Sequence, residues 1–340
     1  MNYQAPWWLP GGNLQTIWAA LHGLRYLDAK PLFRRERWTT PDQDFVDVDW
    51  LSDSPCTEAI VQPLLVVFHG LEGSSSSHYA EAFADVAKSR GWACAVPHFR
   101  GCSGELNLAP RAYHSGDYEE IDWMLRRFKA MHKGPLLAVG ISLGGNALMR
   151  WAGELENAAT EVVSAISSVC SPLDLTASGK AIGKGFNRQT YTRMFLGTMV
   201  PKALQKLAQH PKLFSRDALL AARDLRAFDN IFTAPLHGFK DTDDYWLRAS
   251  AKPHMQSIAI PSLALNARND PFVPATSLPG TGDVSASVTL WQPGQGGHVG
   301  FPAGSADGWP HAHVRAMPMA VCEFLAQHLP STARSLNTDG

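Results

Sequence analysis

Cysteine is scarce in this sequence: Cys56, Cys94, Cys102, Cys170 and Cys322 are odd in number, widely scattered and never in C-x-x-C spacing. That pattern argues against a disulfide framework or a zinc site and fits reduced thiols in a cytoplasm. An excess of one charge is also missing, since 30 Lys+Arg face 31 Asp+Glu for a net charge of −1. No polyanion-binding surface is implied, so nucleic acid is not an expected partner. No apolar run approaches the roughly 18 to 20 residues that span a bilayer, and Met1 to Trp8 lacks the basic-then-apolar order of a secretory leader. Internal repeats and low-complexity linkers are absent. The expectation is a soluble, cytoplasmic protein.

What is present has the texture of an α/β protein. Residues 1–35 read as an aromatic and helical segment packing on the core, with Pro6-Trp7-Trp8-Leu9-Pro10 followed by Leu14, Ile17, Trp18 and Leu21 at helical spacing. Such a segment leaves room for peripheral contact with a membrane. Trp38 to Leu51 reads as a β-hairpin around Pro41 to Asp44, because Val46, Val48 and Trp50 alternate with Asp47 and Asp49; one face is expected buried and the other wet. From residue 63, short apolar strands alternate with amphipathic helices, the pattern of a mostly parallel sheet covered on both faces. Strands are expected at 64–68, 92–96, 136–139, 163–169, 262–265 and 287–291, and a closing helix around Met317 to Leu325. Residues 173–250 break the rhythm, being richer in Lys, Arg and helix formers, and read as a helical cap inserted into a core of 36–172 and 251–330. Residues 331–340 read as a disordered tail.

The chain is organised around Leu136-Leu137-Ala138-Val139-Gly140-Ile141-Ser142-Leu143-Gly144-Gly145. This is G-x-S-x-G in strand-turn-helix context. Side chains at Gly140 and Gly144 would collide with the neighbouring strand and helix, and the turn they permit exposes the Ser142 hydroxyl. Because Ser142 lies at a helix start, the Leu143 N–H is free to face an oxyanion. Ser103, in Gly101-Cys102-Ser103-Gly104, lacks the second spacer and is a decoy.

A serine hydroxyl needs a histidine base, and that histidine needs a carboxylate to fix its tautomer. Among 13 histidines, His298 stands out in the glycine-rich Gly294-Gln295-Gly296-Gly297-His298 loop after the 287–291 strand. Asp270 follows the 262–265 strand directly, at a strand's carboxyl end, where such sheets place their chemistry; it could also be an Asx-turn before Pro271. Asp241, Asp243, Asp244 and Asp283 are rivals better read as solvated surface, and His311-x-His313 as a solvated turn rather than a metal site. His69-Gly70-Leu71-Glu72-Gly73 follows the 64–68 strand, and the Leu71 N–H could join that of Leu143 as a second oxyanion donor. His69 itself reads as structural. No cofactor and no metal is expected.

Pro10-Gly11-Gly12-Asn13-Leu14-Gln15-Thr16, His69 to Ser74, Phe99-Arg100-Gly101-Cys102-Ser103-Gly104-Glu105, Tyr113-His114-Ser115-Gly116 and Phe232 to Phe239 together resemble the YheT-like α/β-hydrolases, the AB hydrolase 4 family. The resemblance runs from about residue 6 to 329. It implies the α/β-hydrolase fold, a Ser142-Asp270-His298 triad, and esterase or lipase-like activity on small-molecule or lipid-like acyl esters. Two departures, Asn13 where a histidine is common and His98 where an asparagine is common, are expected to bear on the substrate entrance. Acyl transfer to an alcohol uses the same triad and stays open as an alternative, as does a binding module on the same fold.

Overall fold

The computed structural model describes residues 3–52, 62–304 and 311–330. Cys56 and the tail expected at 331–340 lie outside the described residues. Eight strands form one sheet: β1 (Phe33–Thr39), β2 (Phe45–Leu51), β3 (Leu64–Phe68), β4 (Ala93–Pro97), β5 (Leu136–Ile141), β6 (Ala165–Val169), β7 (Ser262–Leu265) and β8 (Val288–Trp291). Their spatial order is β1-β2-β4-β3-β5-β6-β7-β8. β1 and β2 are an antiparallel hairpin, β2 joins β4 antiparallel, and every other pairing is parallel.

The parallel strands are apolar on both sides because both sides are covered. On β3, Leu64, Val66 and Phe68 enter one core while Leu65 and Val67 enter the other, as the period of two requires. Helices α3 (Tyr118–Met131) and α4 (Leu143–Leu155) cover the first face through Ile121, Met124, Leu125 and Leu148. Helices α2 (His78–Ser89) and α10 (Ala316–Ala326) cover the second through Phe83, Val86, Met317 and Val321. Each such side chain, fully buried, contributes roughly 1.5–3 kcal/mol.

Between β6 and β7 the chain forms helices and no strand among the described residues: α5 (Leu175–Ile182), α6 (Arg193–Gln209), α7 (Arg216–Ala221), α8 (Leu225–Ile231) and α9 (Thr242–Ala249) are its main elements. Asp174, Ser215, Asp224 and Asp241 cap four of them, each accepting a backbone N–H three residues on. Among the described residues no helix is long and apolar enough to cross a membrane. The cysteines described, Cys94, Cys102, Cys170 and Cys322, are free and buried.

Two sequence expectations need correcting. The polar face of the hairpin is not wet: Asp47 and Asp49 are 2% and 4% exposed. The register sets Arg37 opposite Asp47 and Arg35 opposite Asp49, and each guanidinium grips its carboxylate through two bonds. Ser103, the decoy serine, donates to Asp47 at 2.7 Å, and Ser75 and His98 Nε2 donate to Asp49 at 2.6 and 2.9 Å. His98 is therefore deep in this network and not at a substrate entrance.

The second correction concerns α1 (Gly12–His22). The helix forms where the spacing predicts, but Leu14 and Leu21 of the apolar stripe are 49% and 66% exposed. Gln15 and Thr16 are buried instead, alongside Trp18 and Ala19. Hydrogen bonds to loops at the sheet's edge decide the orientation, because a buried polar group without a partner is costly.

Candidate active site

The turn after β5 carries Ser142 in a strained conformation, φ 51° and ψ −115°. Two close approaches hold it. A Cβ on Gly140 would lie 2.4 Å from the Gly145 Cα, and one on Gly144 would lie 2.5 Å from the His69 carbonyl oxygen. The strand end and the helix start are thus in contact, and the serine side chain has nowhere to go but outward.

The loops after β7 and β8 bring Asp270 and His298 to it. Ser142 Oγ lies 3.0 Å from His298 Nε2, and His298 Nδ1 lies 2.8 Å from Asp270 Oδ2. Asp270 is held from its other side, where Oδ1 accepts the N–H groups of Phe272 and Val273 at 2.7 and 3.2 Å. The Asx-turn reading and the acid reading of Asp270 therefore describe the same side chain. With its carboxylate fully covered, Asp270 is directed to accept from Nδ1–H, which leaves Nε2 as the acceptor for the serine proton. Phe272 lies against the His298 ring, centroids 4.1 Å apart.

Leu71 and Leu143 flank Ser142, and both line the cavity into which its hydroxyl opens. As the first residue of α4, Leu143 has an N–H without an intrahelical acceptor. Among the described residues neither amide has a hydrogen-bond partner. His69 lies behind them, fully buried, with Nδ1 2.8 Å from the Gly70 carbonyl and Nε2 accepting the Phe99 N–H at 3.1 Å. Burial pushes its pKa down to about 3, with the neighbouring His98 adding to the effect. It is a neutral brace, in keeping with its structural reading.

The sequence rivals lie elsewhere. Asp241 caps α9, Asp243 pairs with Arg226, Asp244 with Arg248, and Asp283 with Lys252. His313 takes part in backbone bridges to Leu24 and Ala303. Among the described residues, two groups bring metal-ligand-type atoms within 4.8 Å of one another: His114, Asp117 and His237, and Cys170, Asp270 and His298. In the first, Arg111 already holds Asp117 and both His237 nitrogens face carbonyls. In the second, Asp270 and His298 are bonded to each other, and burial raises the pKa of the Cys170 thiol. Neither arrangement offers a cation a free ligand set.

Ser142 sits where two spaces meet. One is an apolar cavity of about 720 Å³ beneath the helices, lined by Leu175, Ile182, Phe195, Met199 and Trp246. The other is a groove of about 1180 Å³ bounded by Ile17 and Leu21 of α1 and by Met194. A third space of about 590 Å³ shares Leu71, Leu143, Met199, Asp229 and Tyr245 with the first and does not touch His298. Burial pushes the Asp229 carboxyl at that shared wall up to about 6, against the bonds from Thr233 and Trp246. Asn13 accepts the Tyr191 hydroxyl at 2.9 Å, and Tyr191 borders the groove.

Sequence reasoning missed Gln15, Thr16, Asn269 and Cys170 as neighbours of the site. The first three hold the histidine loop by side-chain hydrogen bonds. The available signal was Gln15 and Thr16 beside Trp18 and Ala19 on one helix, since uncharged polar residues on a buried helix face need a partner.

The family model for the alpha/beta hydrolase fold matches residues 63–304. The chain is 40% identical over 285 residues to "Putative esterase YheT" of Escherichia coli (strain K12), covering 81% of this chain and 82% of that protein. It is 28% identical over 321 residues to human Phospholipase ABHD3, covering 91% and 75%. Among solved structures, the Pyrococcus furiosus esterase Pf2001 superposes with a TM-score of 0.53 at 13% identity, over 91% of this chain and all of that one; this likeness speaks to the fold.

Proposed function

Because the chain belongs to the YheT-like alpha/beta hydrolases, we propose that it is a serine hydrolase of carboxylic esters, working through Ser142, His298 and Asp270 and an acyl-enzyme. The observation that carries this reading is the continuous hydrogen-bonded line from Ser142 Oγ through His298 to Asp270, at 3.0 and 2.8 Å. His298 Nε2 takes the serine proton as Oγ attacks the ester carbonyl, and the Leu71 and Leu143 amides receive the oxyanion. The alcohol leaves with the proton from His298, and water, activated by the same nitrogen, releases the acid.

The two spaces give the ester a direction. The departing oxygen must stay within reach of His298, which lines both the cavity and the groove, but the cavity shares a wall beyond the oxyanion amides with the space of about 590 Å³ that does not touch His298, so it leads away from the base. The acyl chain therefore runs under the helices of 173–250, which act as the cap, and the alcohol lies in the groove beside α1. Relatives named esterase and phospholipase support an ester substrate.

Hydrolysis of a p-nitrophenyl ester series from two to sixteen acyl carbons, with Ser142→Ala alongside, tests the proposal. The expected result is a Ser142-dependent rate that peaks at one chain length, with Ser142→Ala lower by a factor on the order of 10⁴ to 10⁶. Wild-type turnover in Ser142→Ala would overturn it.

A further inference from the structure

The loop that carries the base is itself strained and has little of its own to hold it. After β8 the chain passes through Gly296 and Gly297 at φ 147° and 64°, then Val299 and Phe301 at φ 58° and 41°. Non-glycine residues in that region persist only where the surroundings over-determine them. Here the surroundings are side chains from far away in the sequence. The three consecutive amides of Gly296, Gly297 and His298 donate to Gln15 Oε1, Asn269 Oδ1 and Thr16 Oγ1 at 2.9, 3.0 and 2.8 Å.

These acceptors are tied to one another. Asn269, the residue before Asp270, donates to the same Gln15 oxygen at 3.0 Å, and Gln15 Nε2 is anchored on the Leu9 carbonyl at 2.8 Å. The Thr16 hydroxyl passes its own proton to the Gly12 carbonyl at 2.7 Å, so it presents a lone pair to His298 N–H in one orientation. The fit leaves no slack: a Cβ on Gly297 would lie 2.7 Å from the Gly12 carbonyl oxygen and 2.8 Å from Thr16 Oγ1.

We propose that the first turn of α1, through Gln15 and Thr16, is a positioning strut of the catalytic site. It fixes the loops of the acid and the base relative to each other, so that His298 meets Ser142 and Asp270 at once. The inference rests on the reading of His298 as the base. Gln15 and Thr16 touch no reacting atom; they act through the backbone of the loops. The groove beside Ser142 is also lined by Thr16 and Ile17, so the strut forms one wall of the space assigned to the alcohol.

The test is Thr16→Val, which keeps the shape and removes the acceptor, with Thr16→Ser as the conservative variant. The expected result for valine is a kcat lower by roughly 10- to 100-fold, the cost of a small misplacement of a catalytic group, with KM within about twofold. Serine restores kcat. Asn269→Ala, less buried and cutting the same cluster from the other loop, serves as a second variant and should lower kcat with the same split. Wild-type kcat in soluble Thr16→Val and Asn269→Ala, with only the melting temperature lowered, would overturn the strut while leaving the triad intact. Wild-type turnover in Ser142→Ala would overturn both.

Discussion

Asp270→Asn separates the two tasks that Asp270 performs. Oδ1 holds two backbone amides, of Phe272 and Val273, and Oδ2 faces His298 Nδ1 at 2.8 Å. Asparagine has one carbonyl oxygen and one NH₂ to distribute. Turning the NH₂ toward the two amides would set three donors against one another, so the oxygen stays there and the NH₂ faces His298. Nδ1 must then be an acceptor, which moves the ring proton to Nε2, where it donates to Ser142 Oγ and can no longer receive its proton. The expected loss in kcat is roughly 10⁴-fold, or about 5.4 kcal/mol of transition-state stabilisation at 1.36 kcal/mol per tenfold. Folding should be nearly unaffected, because both amides keep their acceptor. Asp270→Ala should lose activity and stability together, since it also strands two N–H groups at about 1–3 kcal/mol each. Steady-state ester hydrolysis with thermal melts of the three proteins distinguishes these cases. An asparagine variant within tenfold of wild type would refute the tautomer argument.

The elbow and the hairpin supply further tests. Gly144→Ala should destabilise the fold by about 1–3 kcal/mol, because the added carbon meets the backbone oxygens of His69 and Phe68 at 2.5 and 2.7 Å; the helix preference of alanine, up to about 1 kcal/mol, does not offset this. A urea midpoint at or above wild type would contradict the packing described. Asp49 is held below the usual carboxylate range by hydrogen bonds from Arg35, His98 and Ser75, which outweigh its burial. A depressed folded-state pKa gives stability that is complete above the unfolded value, about 3.9, and fades as pH falls below it. Asp49→Asn should therefore be less stable than wild type at pH 7, by about 1–3 kcal/mol discounted for the half-exposed Arg35, and the gap should narrow toward pH 3. A gap of constant size in melts across that range would remove the charge from the explanation.

The parallel half of the sheet was legible because strands buried on both faces are plain apolar runs: β3, β4 and β7 fall within a residue of their expected places, and β5 runs two residues past its expected end. The meeting of Ser142, Asp270 and His298, proposed above as the reacting side chains, was legible for a related reason. Each follows the carboxyl end of a strand, so locating the runs 136–139, 262–265 and 287–291 also located the loops that follow. The burial of Asp47 and Asp49 was harder to see because alternation alone gives acidic residues to solvent. The cross-strand register with Arg35 and Arg37 overrides that rule, and it appears only once the hairpin is paired residue by residue. Gln15 and Thr16 were obscured by their apolar neighbours: of the stripe Leu14, Ile17 and Leu21, the last two border the groove and Leu14 is exposed, and the partners that bury Gln15 and Thr16 lie more than 250 residues away.

That separation has a consequence in time. Thr16 accepts from a residue 282 positions later, and at roughly 5–20 residues per second the ribosome delivers His298 about a quarter of a minute to a minute after Thr16. Throughout that interval Gln15 Oε1 and Thr16 Oγ1 lack the N–H donors they accept from, while β3, β4 and β5 already have one another. The central strands and the serine turn are thus synthesised well before the proposed base, and α1 meets these partners in the loops after β7 and β8 only once those loops have been made. On the proposed reading, the triad is complete only when α1 and the loop after β8 meet.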